Sequence, residues 1–190
     1  MERADYLAQV GKLIQELPRE PLQAIADRLW QAYRQEAHIF ACGNGGSSAT
    51  ASHLAEDLAK GVDLPPDARR FRVISLVDSV AMLTAYANDL GYEHVFSEPL
   101  RNLVRAGDVL VALSGSGSSQ NVVRAAQVAR EAGASVVALV GRDGGELKGL
   151  ADLSVVVPAE SMQQIEDAHL AITHVIYLDL KARAETAARE

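Results

Sequence analysis

The chain has 190 residues, 48% apolar and 23% charged, the make-up of an ordinary globular protein of one domain, or of one with a small helical appendage. A formal net charge of −7 argues against a nonspecific nucleic-acid-binding surface, although helix N-termini and backbone N–H groups still let an acidic chain hold an anion. Its single cysteine, Cys42, excludes an intramolecular disulfide, and apolar runs such as "VLVAL" are far too short to span a bilayer.

The opening "MERADYLAQV" carries early acids and no apolar stretch, which argues against a signal peptide. A cytoplasmic protein with neither a membrane nor a nucleic-acid partner is the expectation. Residues 4–17 and 20–35 predict two amphipathic helices broken at Leu17-Pro18, with Leu7, Val10, Leu13, Ile14 and Leu17 at helical spacing. The rhythm then changes. Short β-branched runs at 38–42, 72–76, 108–113, 135–140 and 153–158 predict strands, most of them apolar enough to be covered on both faces. Cys42, following "HIFA", falls in the first of them. Helical stretches at 46–60, 78–88, 92–105, 118–132 and 162–188 lie between and after. Strands alternating with helices predict an α/β fold with a five-stranded parallel sheet flanked by helices. No internal repeat is present, and the Pro-rich "DLPPDARR" (63–70) is a loop within the α/β unit, so 1–190 reads as a single domain. Its hairpin, 1–36, needs a cover for its apolar stripes, for which a subunit interface is a natural place.

Two loops follow predicted strands and open predicted helices: "GNGGSS" (43–48) and "SGSGSS" (114–119). In a parallel sheet such loops lie at the C-terminal strand ends, where ligands bind. Glycine lets backbone approach a ligand, serine adds donors, and the first helical turn offers free N–H groups to an anion. Neither loop is a dinucleotide fingerprint. The first has Ser48 where the third glycine would stand, the second has Ser119 or Gln120, and the acids after the first loop, Asp63 and Asp67, lie in the Pro-rich loop rather than at a strand end. Neither ends in Gly-Lys-Ser/Thr. The serine excess suits a single phosphate monoester; a serine-capped helix start is the plainer alternative for each loop.

His53 and Asp57 stand four apart on one helical face, with Glu56 as a competing acid. The last helix carries Glu166, Asp167, His169 and His174. Imidazoles and carboxylates gathered on two short stretches suit a divalent metal, or two ordinary polar faces. Glu166 and His174 lie about 12 Å apart along a helix axis, so one ion is shared only if both side chains reach inward. Tyr86 and Tyr92 flank "ANDLGYEH" as core or pocket wall. Trp30 reads as hairpin packing, and Lys60, His94, Arg69 and Arg70 as surface.

In "CGNGGS", "ASHLAEDL", "ANDLGYEHVFSEPL", "LSGSGSSQNV" and "IEDAHLAITH" the chain resembles the sugar isomerase (SIS) domain family, and within it the phosphoheptose isomerases. The resemblance spans nearly the whole chain. It implies a homotetramer with active sites at subunit interfaces, and conversion of sedoheptulose 7-phosphate to D-glycero-D-manno-heptopyranose 7-phosphate. It further implies that Asn44, Gly45 and Gly46 contact the sugar, with Ser47 beside them. Asn88 and Asp89 would meet sugar hydroxyls, and Ser114, Gly115, Ser116 and Ser119 the phosphate. One zinc ion per site would be held by His53, Asp57, Glu166 and His174. Two positions depart from that pattern: Asp57 stands where these isomerases commonly have Glu, their presumed base, and Glu166 where they have Gln. The expected catalytic residues are therefore Asp57 or Glu166 as base and His174 as acid. The alternatives are a non-catalytic SIS adaptor of the kind that binds the replication initiator DnaA, or an isomerase or binder of another phosphosugar.

Overall fold

The computed structural model describes residues 3–61, 64–66 and 68–189. Asp63 and Asp67 fall outside them. Two helices, α1 (Arg3–Gln15) and α2 (Arg19–Arg34), open the chain. Pro18 is the N-cap of α2 at φ −68°, where its missing N–H costs nothing. Then come β1 (His38–Cys42), α3 (Gly46–Glu56) with a π-turn at Asp57–Gly61, β2 (Arg72–Ser75) and α4 (Val80–Asp89). A 3₁₀ turn (Tyr92–His94) leads to α5 (Ser97–Leu103), β3 (Val109–Ser114), α6 (Gln120–Glu131) and β4 (Ser135–Gly141). The chain closes with α7 (Gly145–Leu150), β5 (Leu153–Val157) and α8 (Met162–Ala187).

The five strands form one all-parallel sheet in the order β2-β1-β3-β4-β5. The strand order reverses between β1 and β3. That is the topological switch point, where the crevice outside the strand ends takes ligands. The two glycine-serine loops follow these two strands.

Alternation along the strands feeds two cores. Ile39, Ala41, Val109, Val111, Leu113, Val137 and Leu139 face α2, α3 and α8. Phe40, Cys42, Leu110, Ala112, Val136 and Ala138 face α5, α6 and α7. Strands buried on both faces explain the unbroken apolar runs in the sequence. Cys42 is buried, and burial pushes its thiol up to about 12, so it is a packing residue.

Two expectations change. The helix expected over 92–105 is a 3₁₀ turn and a separate α5, because Pro99 has no N–H for the carbonyl four residues back and fits only the first turn of a new helix. The short α7 went unforeseen, since "GRDGGELKGL" reads as loop by its glycines. The hairpin finds much of its cover within its own chain. Ile25, Ala26, Leu29, Ala32 and Tyr33 of α2 are buried, and Trp30 stacks on Tyr33 with ring centroids 4.8 Å apart.

Candidate active site

Ser119 is the N-cap of α6, yet its hydroxyl caps nothing. It lies 3.3 Å from Ser114 Oγ, which lies 3.5 Å from Ser116 Oγ. Ser114 Oγ accepts from Gly117 N at 3.1 Å, and Ser116 Oγ from Ser118 N at 3.2 Å. A serine kept only to start a helix would bond the first-turn N–H groups, as Ser79 does by accepting from Met82 N on α4. Three hydroxyls gathered over the start of α6 make a cradle for an anion's oxygens instead. Gly117, at φ +65°, closes this loop where a Cβ would strike the Gly144 carbonyl. Its own carbonyl accepts from Leu147 N at 2.8 Å, so α7 braces the loop.

The first loop is held by two neighbours, Asn121 and Tyr92. Asn44 Nδ2 donates to Asn121 Oδ1 at 2.8 Å, and Asn121 Nδ2 donates back to Asn44 Oδ1 at 2.8 Å. Tyr92 OH donates to Asn44 Oδ1 at 2.9 Å, which places the exposed Tyr92 against this loop rather than in the core. Ser47 is buried in the first turn of α3. Asn121 was not singled out from the sequence; the one signal was an amide in the first turn of a helix behind a serine loop. Asn88 and Asp89 end α4, exposed, with Asn88 Nδ2 donating to Asp89 Oδ1 at 2.7 Å. Tyr86 packs against the second core.

Helices α3 and α8 lie against each other, with Glu166 beside Gly46 and His174 beside His53. These pairs are spaced almost alike on the two helices, so the helices run side by side in one direction. The His53 and His174 Nε2 atoms are 3.5 Å apart, and Asp57 Oδ2 lies 3.7 Å and 3.9 Å from them. Glu166 is outside this group. Its carboxylate stands where a Cβ on Gly46 would be, at the positive start of α3. Glu56 is exposed, and His169 is wholly buried; neither joins the group. Asp167 accepts from Tyr6 OH at 2.5 Å, a bond that lifts the phenol to about 12 and commits this acid to α1.

The donor set fits a cation. Among the described residues, Asp57 Oδ2 is buried with no hydrogen-bond partner, and an orphaned carboxylate oxygen there is costly unless a positive group meets it. Tetrahedral zinc with ligand bonds of about 2.0–2.1 Å spaces its ligand atoms roughly 3.3 Å apart, close to the observed triangle. His53, Asp57 and His174 could therefore supply three ligands to one ion.

The sequence profile of the family described as SIS domain matches residues 5–141. The chain belongs to the SIS-domain family. Among its SIS-domain relatives, the phosphoheptose isomerase of Mycobacterium tuberculosis (strain ATCC 25177 / H37Ra) is 42% identical over 159 residues, 83% of this chain and 79% of that one. The phosphoheptose isomerase of Chlorobaculum parvum (strain DSM 263 / NCIMB 8327) is 38% identical over 177 residues, 93% and 85% of the two chains. The structure of phosphoheptose isomerase GmhA from Neisseria gonorrhoeae matches with a TM-score of 0.87 at 33% identity, covering 94% of this chain and 96% of that one. The expected SIS fold and the resemblance to phosphoheptose isomerases are both borne out.

Proposed function

We propose that this SIS-domain protein is a phosphoheptose isomerase, interconverting sedoheptulose 7-phosphate and D-glycero-D-manno-heptopyranose 7-phosphate. The observation that carries the reading is the pairing of a serine cradle at the switch point with the His53–Asp57–His174 set on α3 and α8. The names of the relatives supply the substrate.

The reaction moves one proton from C1 of the ketose to C2 through an enediol, while O1 loses a proton and O2 gains one. Ser114, Ser116 and Ser119, with the N-terminus of α6, hold the phosphate, and that remote binding energy positions the other end of the sugar. Gly45, Gly46, Ser47 and Asn44 line the sugar's path, with Asn88 and Asp89 flanking it. A zinc ion held by His53, Asp57 and His174 would polarise the carbonyl oxygen. Were Asp57 to hold that ion, Glu166 would be the carboxylate left at the sugar loop to take the proton from C1. His174 would give its Nε2 to such an ion, and would then not serve as the acid through that nitrogen.

The apolar surface supports the homotetramer with sites at subunit interfaces. Helix α4 has no buried residue, and Val80, Met82, Leu90 and Tyr92 are exposed on and beside it. A groove of ≈ 420 Å³ between α1, α2 and α8 is lined by Ile14, Leu17, Leu22, Ile172, Val175 and Ile176.

The test is a turnover assay with sedoheptulose 7-phosphate and zinc, alongside metal analysis. Asp57→Asn and His174→Ala should lose bound zinc and turnover together. Glu166→Gln should keep the zinc and lose turnover by about 100-fold or more, the usual reach of general-base loss. Full turnover in all three would sink the assignment. Zinc in the purified protein also separates the enzyme from a non-catalytic adaptor.

A further inference from the structure

Asn121 is the second residue of α6 and is 3% exposed. Its hydrogen bonds fix more than its own position. Val122 N can only donate, and besides the Ser119 carbonyl at 3.0 Å it meets Asn121 Oδ1 at 3.0 Å, which identifies that atom as the oxygen. Asn121 Nδ2 must then face Asn44 Oδ1, and Asn44 Nδ2 must face Asn121 Oδ1. One backbone N–H thus sets the orientation of two amides in sequence. Tyr92 OH takes the remaining lone pair on Asn44 Oδ1. What is left on Asn44 is a single N–H of Nδ2, a donor with no acceptor capacity.

We propose that Asn121 is a positioning residue that locks Asn44 as a one-way hydrogen-bond donor toward a ligand oxygen, and so ties the sugar loop to the phosphate loop. The inference rests on the reading of Asn44 as a sugar contact. Asn121 lies in the first turn of the helix whose N-terminus the serine cradle covers, while Asn44 lies in the loop ahead of α3. Each is anchored to a different strand flanking the switch point, and the amide pair is the direct side-chain link across it. A ligand phosphate that orders the start of α6 therefore also orders the donor at the sugar end. Asn44 offers its N–H to a hydroxyl or carbonyl oxygen and repels an N–H or ammonium group, so an amino sugar phosphate that places nitrogen there is disfavoured.

The test separates positioning from helix capping. Asn121→Asp keeps an oxygen for Val122 N and one for Asn44 Nδ2, and Val122 N keeps the Ser119 carbonyl, so the start of α6 and the fold are preserved. It turns a second oxygen on Asn44 Oδ1 and expels that side chain. With sedoheptulose 7-phosphate, Asn121→Asp and Asn121→Ala should each lower kcat/KM by about 10- to 100-fold, the scale of an orphaned buried hydrogen bond. Competitive inhibition by inorganic phosphate should be unchanged in Asn121→Ala, which leaves the cradle's hydroxyls and local charge intact. Asn44→Ala should have a similar effect, and adding Asn121→Ala to it should cost nothing further. Full activity in Asn121→Asp, or additive losses in the double variant, overturns the coupling. An inactive wild-type protein overturns the isomerase reading instead. The coupling is then judged by a crystal structure of Asn121→Asp: Asn44 turned away from residue 121 supports it, and Asn44 unmoved overturns it.

Discussion

Ser79 and Ser119 hold the same position on two helices, the N-cap, and do different things. Ser79 accepts from Met82 N, whereas Ser119 leaves its helix uncapped and turns to Ser114. Replacing a capping serine by alanine typically costs about 1 kcal/mol. Ser119→Ala should therefore cost less than that in denaturant unfolding while raising KM for the sugar phosphate severalfold. An equal loss of stability in Ser79→Ala and Ser119→Ala would show that Ser119 only starts a helix. His169 gives a second residue-scale expectation. Burial pushes its imidazole down to about 4, against a smaller opposing pull from the Val140 backbone. Below its ordinary value of 6.5 the unfolded chain takes up a proton that the folded chain refuses. Its effect is absent above pH 6.5, and stability falls as pH drops toward 4, by about 3 kcal/mol for a shift of this size. His169→Leu should flatten unfolding curves across that window; an unchanged pH slope would refute the assignment.

At the scale of elements, α7 braces the serine loop through Gly117. Gly117→Ala forces a side chain into a positive φ and into the Gly144 carbonyl. It should destabilise the protein by about 1–3 kcal/mol and weaken phosphate binding, read by thermal unfolding with and without inorganic phosphate. Loss of stability with unchanged phosphate affinity would show that the two loops are independent. The elements differ in how legible they were. All five strands could be read: the central ones because burial on both faces demands apolar runs, and the edge strands β2 and β5, less buried, from their β-branched residues. The helix expected at 92–105 kept its apolar residues, but one proline outweighed its periodicity. In the site, His53, Asp57 and His174 could be gathered from spacing and resemblance. The contact of Glu166 with Gly46 could not, because it depends on how α8 lies along α3. Asn121 escaped notice because a first-turn asparagine commonly serves only its own helix.

At the scale of the whole molecule, unpartnered apolar surface lies on two separate faces, along α4 and along the groove between α1, α2 and α8. Two distinct faces fit a closed assembly of dimers better than a single dimer contact. Light scattering should give about four times the chain mass, and Val175→Asp, placing a charge in the groove where Val175 is 53% exposed in the single chain, should lower it. A wild-type monomer with full turnover would remove the proposed interfacial site.

The β1–β3 pairing has one more consequence. Four residue pairs from Ile39↔Val109 to Cys42↔Ala112 join these strands, and both ligand loops spring directly from their ends. If the two loops bind phosphate and sugar as proposed, the span between them is a fixed gauge, cut into the sheet itself at the spacing of neighbouring strands, about 4.8 Å. A longer or shorter sugar chain cannot be accommodated by sliding one loop past the other without breaking the register of the whole sheet. Any change of substrate length has to be made by the side chains at the far end of the gauge, on α3 and α8, while the end that grips the phosphate stays where it is.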